Sequence, residues 1–376
     1  MRIGVLTYHR SINYGSVLQA WATQHLLSQK GYDVEIIDYI PEHYNKLYSI
    51  YGSTKTLKGF IKRTLLAPLR IWQRNNFARF RNKNLNLSDR VYTKDTDLKV
   101  LEEEYNCIIC GSDQIWNIRT LDSDDIFFLP DVKLKKIAFA VSINKTDFTE
   151  ERCTEQLREW MNDFDHISCR ERGGAVRLGC FLDGRRDIDV LLDPTLLHHK
   201  EDYYEICSER IIHSDYIFLY KVWPGEDSIH IIKHMQDRLK LPVYTLLLVK
   251  DIMSLVRIEK EGIKIIKVRT RPENYVSLIR YASYVITDSF HGTAFSIIFE
   301  KPLICINERR GDGNLRNDER IREILGLLGI DGHYLTYSDL AEPGFMPSEI
   351  DYTIVTAKRL ELARRTIDKL MEYIDH

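Results

Sequence analysis

The side chains of this chain that could do chemistry gather in a few short polar turns. The densest is Asp288-Ser289-Phe290-His291-Gly292-Thr293. It follows an apolar, β-branched run from Tyr284 to Thr287 and precedes a second apolar run with helical spacing, so it reads as the turn between a parallel strand and a helix. In open α/β sheets ligands bind at such turns, and the free backbone N–H groups of the helix start favour an anion. Ser289, His291 and Thr293 would supply side-chain partners, and Gly292 would let a ligand approach the backbone. A phosphate-bearing small molecule fits this pattern. The same residues also suit a plain helix start, with Ser289 or Asp288 as the cap and His291 on the surface.

A second turn, Cys110-Gly111-Ser112-Asp113-Gln114-Ile115-Trp116-Asn117, also follows an apolar run. It crowds a permissive glycine, a carboxylate, an amide and an aromatic together. Such groups hold sugars, since Trp116 can stack on the ring while Asp113 and Gln114 pair with hydroxyls. Trp116 as a core anchor is the competing reading. A third turn, Asn13-Tyr14-Gly15-Ser16, opens the first helix and is either an acceptor-side surface or a strand-to-helix turn with an asparagine cap. No metal site is expected. Cys107 and Cys110 lie three apart on a strand and point to opposite faces, and His230 and His234, one helical turn apart, lack further ligands and read as surface residues.

Strands and helices must alternate to position these turns, and they do. Arg2 to Thr7 reads as a strand, Ser16 to Lys30 as a helix ended by Gly31, and Val34 to Tyr39 as the next strand. The basic stretch that follows predicts two helices broken near Pro68. Further buried strands are expected at Asn106 to Cys110, Ile137 to Ile143 and His166 to Arg170, with a helix from Glu150 to Asn162. A second series runs through strands at Tyr216 to Val222, Val243 to Leu248, Ile263 to Val268, Tyr284 to Thr287 and Leu303 to Ile306. The pattern predicts an α/β protein with domains at residues 1–205 and 206–350, and a C-terminal helix over 351–376 that packs back on the first domain.

With 376 residues, 44% of them hydrophobic, the chain can bury two cores. The N-terminal apolar run is too short for a signal peptide, and no stretch reaches about 18 uninterrupted apolar residues. Seven cysteines, an odd number without framework spacing, fit buried thiols in a reducing compartment. A cytoplasmic protein is therefore expected. A net charge of −2 lends no support to nucleic-acid binding. The charge is unevenly spread, however: from His43 to Ser88 there are ten basic residues and no acidic one. That segment suits either an anionic membrane surface, peripherally contacted, or a solvated helix face.

Five stretches taken in order, NYGSVLQAWATQHLL, CGSDQIWN, SCRERGG, LLDPTLL and ITDSFHGTAFSIIFEKPL, resemble the polysaccharide pyruvyl transferase family. The resemblance runs from about residue 3 to residue 306. It implies a GT-B-like pair of Rossmann-like domains facing a cleft, phosphoenolpyruvate as donor substrate without a separate cofactor, and a glycan or lipid-linked sugar as acceptor. It points to His291 and Arg170 as catalytic and donor-binding residues, with Asp113 as the group that takes the acceptor's proton. Some family members carry Arg directly before the motif histidine, where this chain has Phe290. The donor's charge would then fall to Arg170, Arg172, Arg309 or Arg310. A glycosyltransferase or epimerase using a nucleotide sugar, and a catalytically idle glycan-binding protein, are the alternatives on the same fold.

Overall fold

Residues 3–6 and 107–110 are apolar in succession rather than alternately, as strands covered on both faces must be, and they pair in parallel in the middle of one sheet. The structure, a computed structural model, describes residues 1–41, 57–120, 123–149, 153–184, 188–220, 226–246, 252–266, 270–309, 314–340 and 345–376. The chain divides into two units, Met1–His198 with Leu362–His376, and His199–Glu361.

The first unit holds seven strands: β1 (Arg2–Leu6), β2 (Asp33–Tyr39), β3 (Leu87–Tyr92), β4 (Cys107–Asp113), β5 (Lys135–Val141), β6 (His166–Cys169) and β7 (Asp189–Val190). They lie in the order β3-β2-β1-β4-β5-β6-β7, and every neighbouring pair is parallel. The winding therefore reverses between β1 and β4, which makes the C-terminal ends of those two strands the crevice of this sheet. Helix α1 (Tyr14–Gln29) starts there, capped by the extended Asn13, whose side chain accepts from the Gly15 N–H at 2.9 Å.

Helix α2 (Leu57–Asn84) corrects one expectation: it passes through Pro68 without a break. A proline removes one backbone hydrogen bond, and Pro68 stands on the exposed side, where water meets that loss. The inward face is held by Phe77 and Phe80, both buried, with the Phe77 ring 5.1 Å from that of Tyr14. Helices α3 (Glu155–Asn162) and α4 (Arg172–Phe181) complete the first unit's crossovers.

The second unit repeats the scheme with β8 (Ile217–Tyr220), α5 (Glu226–Leu239), β9 (Val243–Leu246), α6 (Ile252–Lys260), β10 (Lys264–Ile266), α7 (Pro272–Arg280), β11 (Tyr284–Thr287), α8 (Phe290–Ile298), β12 (Leu303–Ile306), α9 (Glu319–Leu328) and β13 (Tyr334–Leu335). Its six parallel strands run β10-β9-β8-β11-β12-β13, so the reversal falls between β8 and β11. The outer ends expected for β8, β9 and β10 lie outside the described residues. The C-terminal helix α10 (Tyr352–Asp375) belongs to the first unit from Leu362 onward. There Thr366 Oγ1 accepts from the Leu192 N–H at 3.2 Å and Lys135 Nζ donates to the Ile374 carbonyl at 2.9 Å, the expected return to the first domain. Among the described residues no helix is long and apolar enough to cross a membrane.

Candidate functional site

In the first unit the motif turns meet at the end of β4. Gly111 has φ +127° and a Cβ there would lie 2.3 Å from the Phe139 carbonyl oxygen, so only glycine fits. Asp113 follows with φ 70°, a conformation its surroundings enforce: Ser16 Oγ donates to its Oδ2 at 2.6 Å and the Gln114 N–H to its Oδ1 at 2.9 Å. Two turns far apart in sequence, Asn13–Ser16 and Ser112–Gln114, are thereby brought together at the reversal of the sheet. Gln19 fixes them further, accepting from the Ser112 N–H at 3.2 Å and donating to Thr7 Oγ1 at 2.7 Å.

Behind this surface lies a buried ionic network. Arg170 Nη2 reaches Asp193 Oδ2 at 2.6 Å and Ser112 Oγ at 2.7 Å, with 2% of the arginine and none of the aspartate side chain exposed. Asp193 in turn accepts from Thr195 N and Oγ1 at 2.9 and 2.5 Å. Glu171, fully buried, gathers Ser142 Oγ and the N–H groups of Ile143 and Asn144 on one oxygen at 2.9 to 3.1 Å. SCRER and LLDPTLL thus hold the ends of β4, β5 and β6 together. Neither Asp193 nor Glu171 stands out as a site residue from sequence, yet a single carboxylate between two leucine pairs is a signal of a buried cation partner.

A third cluster was also missed. His9 Nε2 lies 2.8 Å from Asp38 Oδ1, and Arg10 donates to both Asp38 oxygens at 2.7 and 2.5 Å. Burial would raise the Asp38 carboxyl, but hydrogen bonds and charge from His9 and Arg10 outweigh it and hold it well below the usual carboxylate range.

In the second unit Ser289 is the N-cap of α8, accepting from the Gly292 N–H at 3.4 Å, and Thr293 Oγ1 donates back to the Ser289 carbonyl at 3.0 Å. His291 is the second residue of the helix, 7% exposed, with its ring edge-on to Phe290 at 5.2 Å. Asp288 pairs with Arg316 at 2.7 Å, and the Arg320 guanidinium lies 5.9 Å from the Phe290 ring centre, held by Asp318 at 2.6 Å. Among the described residues, Arg316 and Arg320 are cations beside this turn, and sequence reasoning did not single them out.

Several expected roles need correction. Trp116 cannot stack on a sugar: it is fully buried, donates Nε1–H to the Phe127 carbonyl at 3.0 Å and packs edge-on against Phe164. Tyr14, 2% exposed, belongs to the α2 contact, and Ser112, fully buried, to the ionic network. Gly292 has a packing reason to be glycine, since a Cβ would meet Thr287 Oγ1 at 2.2 Å. Gln114 is engaged by Asn117 and Asn144 at 2.9 and 3.1 Å. Arg172 and Arg309 are exposed, while Arg310 lies outside the described residues. Arg170 and Asp113 belong to the first unit, and His291 to the second. Among the described residues no cluster of three or more His, Cys, Asp or Glu could hold a metal.

The sequence matches the model of the polysaccharide pyruvyl transferase family over residues 13–309. The chain belongs to this family. Among curated proteins none matches it. Among solved structures, UDP-GlcNAc 2-epimerase from Neisseria meningitidis bound to UDP-GlcNAc is similar at a TM-score of 0.55 and 9% identity, covering 99% of this chain and 100% of that one. UDP-GlcNAc 2-epimerase from Methanocaldococcus jannaschii follows at 0.52 and 12%, covering 97% and 99%. At such identity the likeness concerns fold alone, and it agrees with the two-domain, GT-B-like α/β architecture expected of the family.

Proposed function

We propose that this pyruvyl transferase family member moves the pyruvyl group of phosphoenolpyruvate onto a pair of hydroxyls of a polysaccharide or its precursor sugar, forming a ketal. What supports the reading is the family match across both motif turns, with His291 at the strand-to-helix turn of the second unit. The reaction adds a proton to the donor's methylene carbon, bonds one acceptor oxygen to the adjacent carbon, and breaks that carbon's bond to the phosphate oxygen. The second hydroxyl then closes the ketal. One inorganic phosphate leaves; of the two protons lost by the hydroxyls, one balances the proton added to carbon and the other departs on the phosphate.

His291 is assigned the acid role, because a phosphate dianion beside an imidazole favours its charged form through charge-assisted hydrogen bonds. Asp113, fixed by Ser16 and its own turn, is assigned as the base that takes an acceptor proton. Arg170 is assigned a positioning role, keeping the end of β4 in place through Ser112. The reaction would take place in the cytoplasm, where phosphoenolpyruvate is made.

Incubating the protein with phosphoenolpyruvate and sugar acceptors tests this. Phosphate release in step with a new ketal methyl signal in the NMR spectrum is expected. Turnover of a nucleotide sugar with none of phosphoenolpyruvate would overturn it in favour of the epimerase or glycosyltransferase reading.

A further inference from the structure

The outward face of α2 combines large exposed apolar side chains with cations. Opposite the buried Phe77 and Phe80, Leu65 is 75% exposed and Ile71 40% exposed. Pro68 stands exposed between them, and Arg79 and Lys83 are exposed farther along the helix. At 1.5 Å per residue, Leu65 to Lys83 makes a strip about 27 Å long. No acidic residue occurs anywhere between His43 and Ser88. A helix lying on a bilayer has this composition, with large apolar side chains for the headgroup boundary and cations for lipid phosphates. A second copy of the chain would set like charges against each other, and a nucleic acid gives no use for exposed leucine and isoleucine.

We propose that this face of α2 docks peripherally on an anionic lipid surface, Leu65 and Ile71 entering the headgroup boundary and Arg79 and Lys83 pairing with phosphate. The inference is independent of the reaction assigned above, since it is read by binding alone.

The test sediments the full-length protein with vesicles of phosphatidylcholine, alone or with phosphatidylglycerol added. Retention on the anionic vesicles, released by high salt and absent from the neutral ones, is expected. Arg79→Gln with Lys83→Gln should weaken partitioning by roughly twenty-five-fold, at about fivefold per cation. Leu65→Glu with Ile71→Glu should abolish it. Urea midpoints of both variants, measured alongside, should match the wild type because all four positions are on the surface. Failure to bind either vesicle, equal binding to both, or a wild-type dimer that the Leu65→Glu/Ile71→Glu variant splits would each overturn the proposal.

Discussion

Arg170 and Asp193 form a fully enclosed ion pair, Nη2 to Oδ2 at 2.6 Å, that also grips the Ser112 hydroxyl at 2.7 Å. Three stretches of the family's sequence pattern thereby close on one point. The pair explains how a turn with a left-handed aspartate can be held rigid at the end of β4: its neighbour in the chain is clamped from behind.

Removing one member leaves the other's charge buried, at a cost of about 3–5 kcal/mol. Arg170→Met is expected to lower stability by that amount in urea unfolding, and Arg170→Met with Asp193→Asn to lose clearly less, since the stranded charge is gone. A double variant no more stable than the single one would show that the pair's charge is not what matters.

His291→Ala is expected to cut kcat for phosphate release by about 10²–10⁴-fold, the usual contribution of a positioned acid or base. The variant should still unfold cooperatively, as the cap of α8 is made by Ser289, though removal of the buried ring lowers its midpoint somewhat. Near-normal turnover in this variant rules out the assignment.

Gly292→Ala places a methyl carbon 2.2 Å from Thr287 Oγ1. Thr287 is itself committed, donating to the Tyr220 carbonyl at 2.6 Å and accepting from the Ser289 N–H at 3.1 Å, so it cannot swing away cheaply. A loss of about 1–3 kcal/mol is expected from the overpacking. Combining it with Thr287→Ala should cost less than the sum of the two single changes, which a double-mutant cycle in urea would read directly.

Asp38 predicts a stability profile with acid. Its folded carboxyl titrates below the unfolded value because His9 and Arg10 outweigh the effect of burial. A depressed folded value means the carboxylate's contribution is complete above roughly pH 5 and drains away as pH falls through about 4 toward the folded value. Asp38→Asn is expected to be less stable than the wild type at neutral pH, with the gap narrowing across that acid window. A gap independent of pH argues against the pairing.

The alternation of strands and helices, the two-domain organisation and the position of each polar turn were legible in the amino-acid order, because burial on both faces requires consecutive apolar residues and helix starts require particular caps. Asn13 and Ser289 cap their helices as such turns should. The order could not say which charges meet. Ser112 and Arg170 are 58 residues apart, and their contact depends on β4, β5 and β6 lying side by side. Nor could it distinguish a tryptophan offered to a sugar from one sealed against Phe128 and Phe164, or show that Gly292 leaves room for Thr287. Local sequence sets conformation through steric and capping preferences that act over a few residues. Burial and charge pairing are set by which strand ends the sheet makes neighbours, and only the folded chain fixes that.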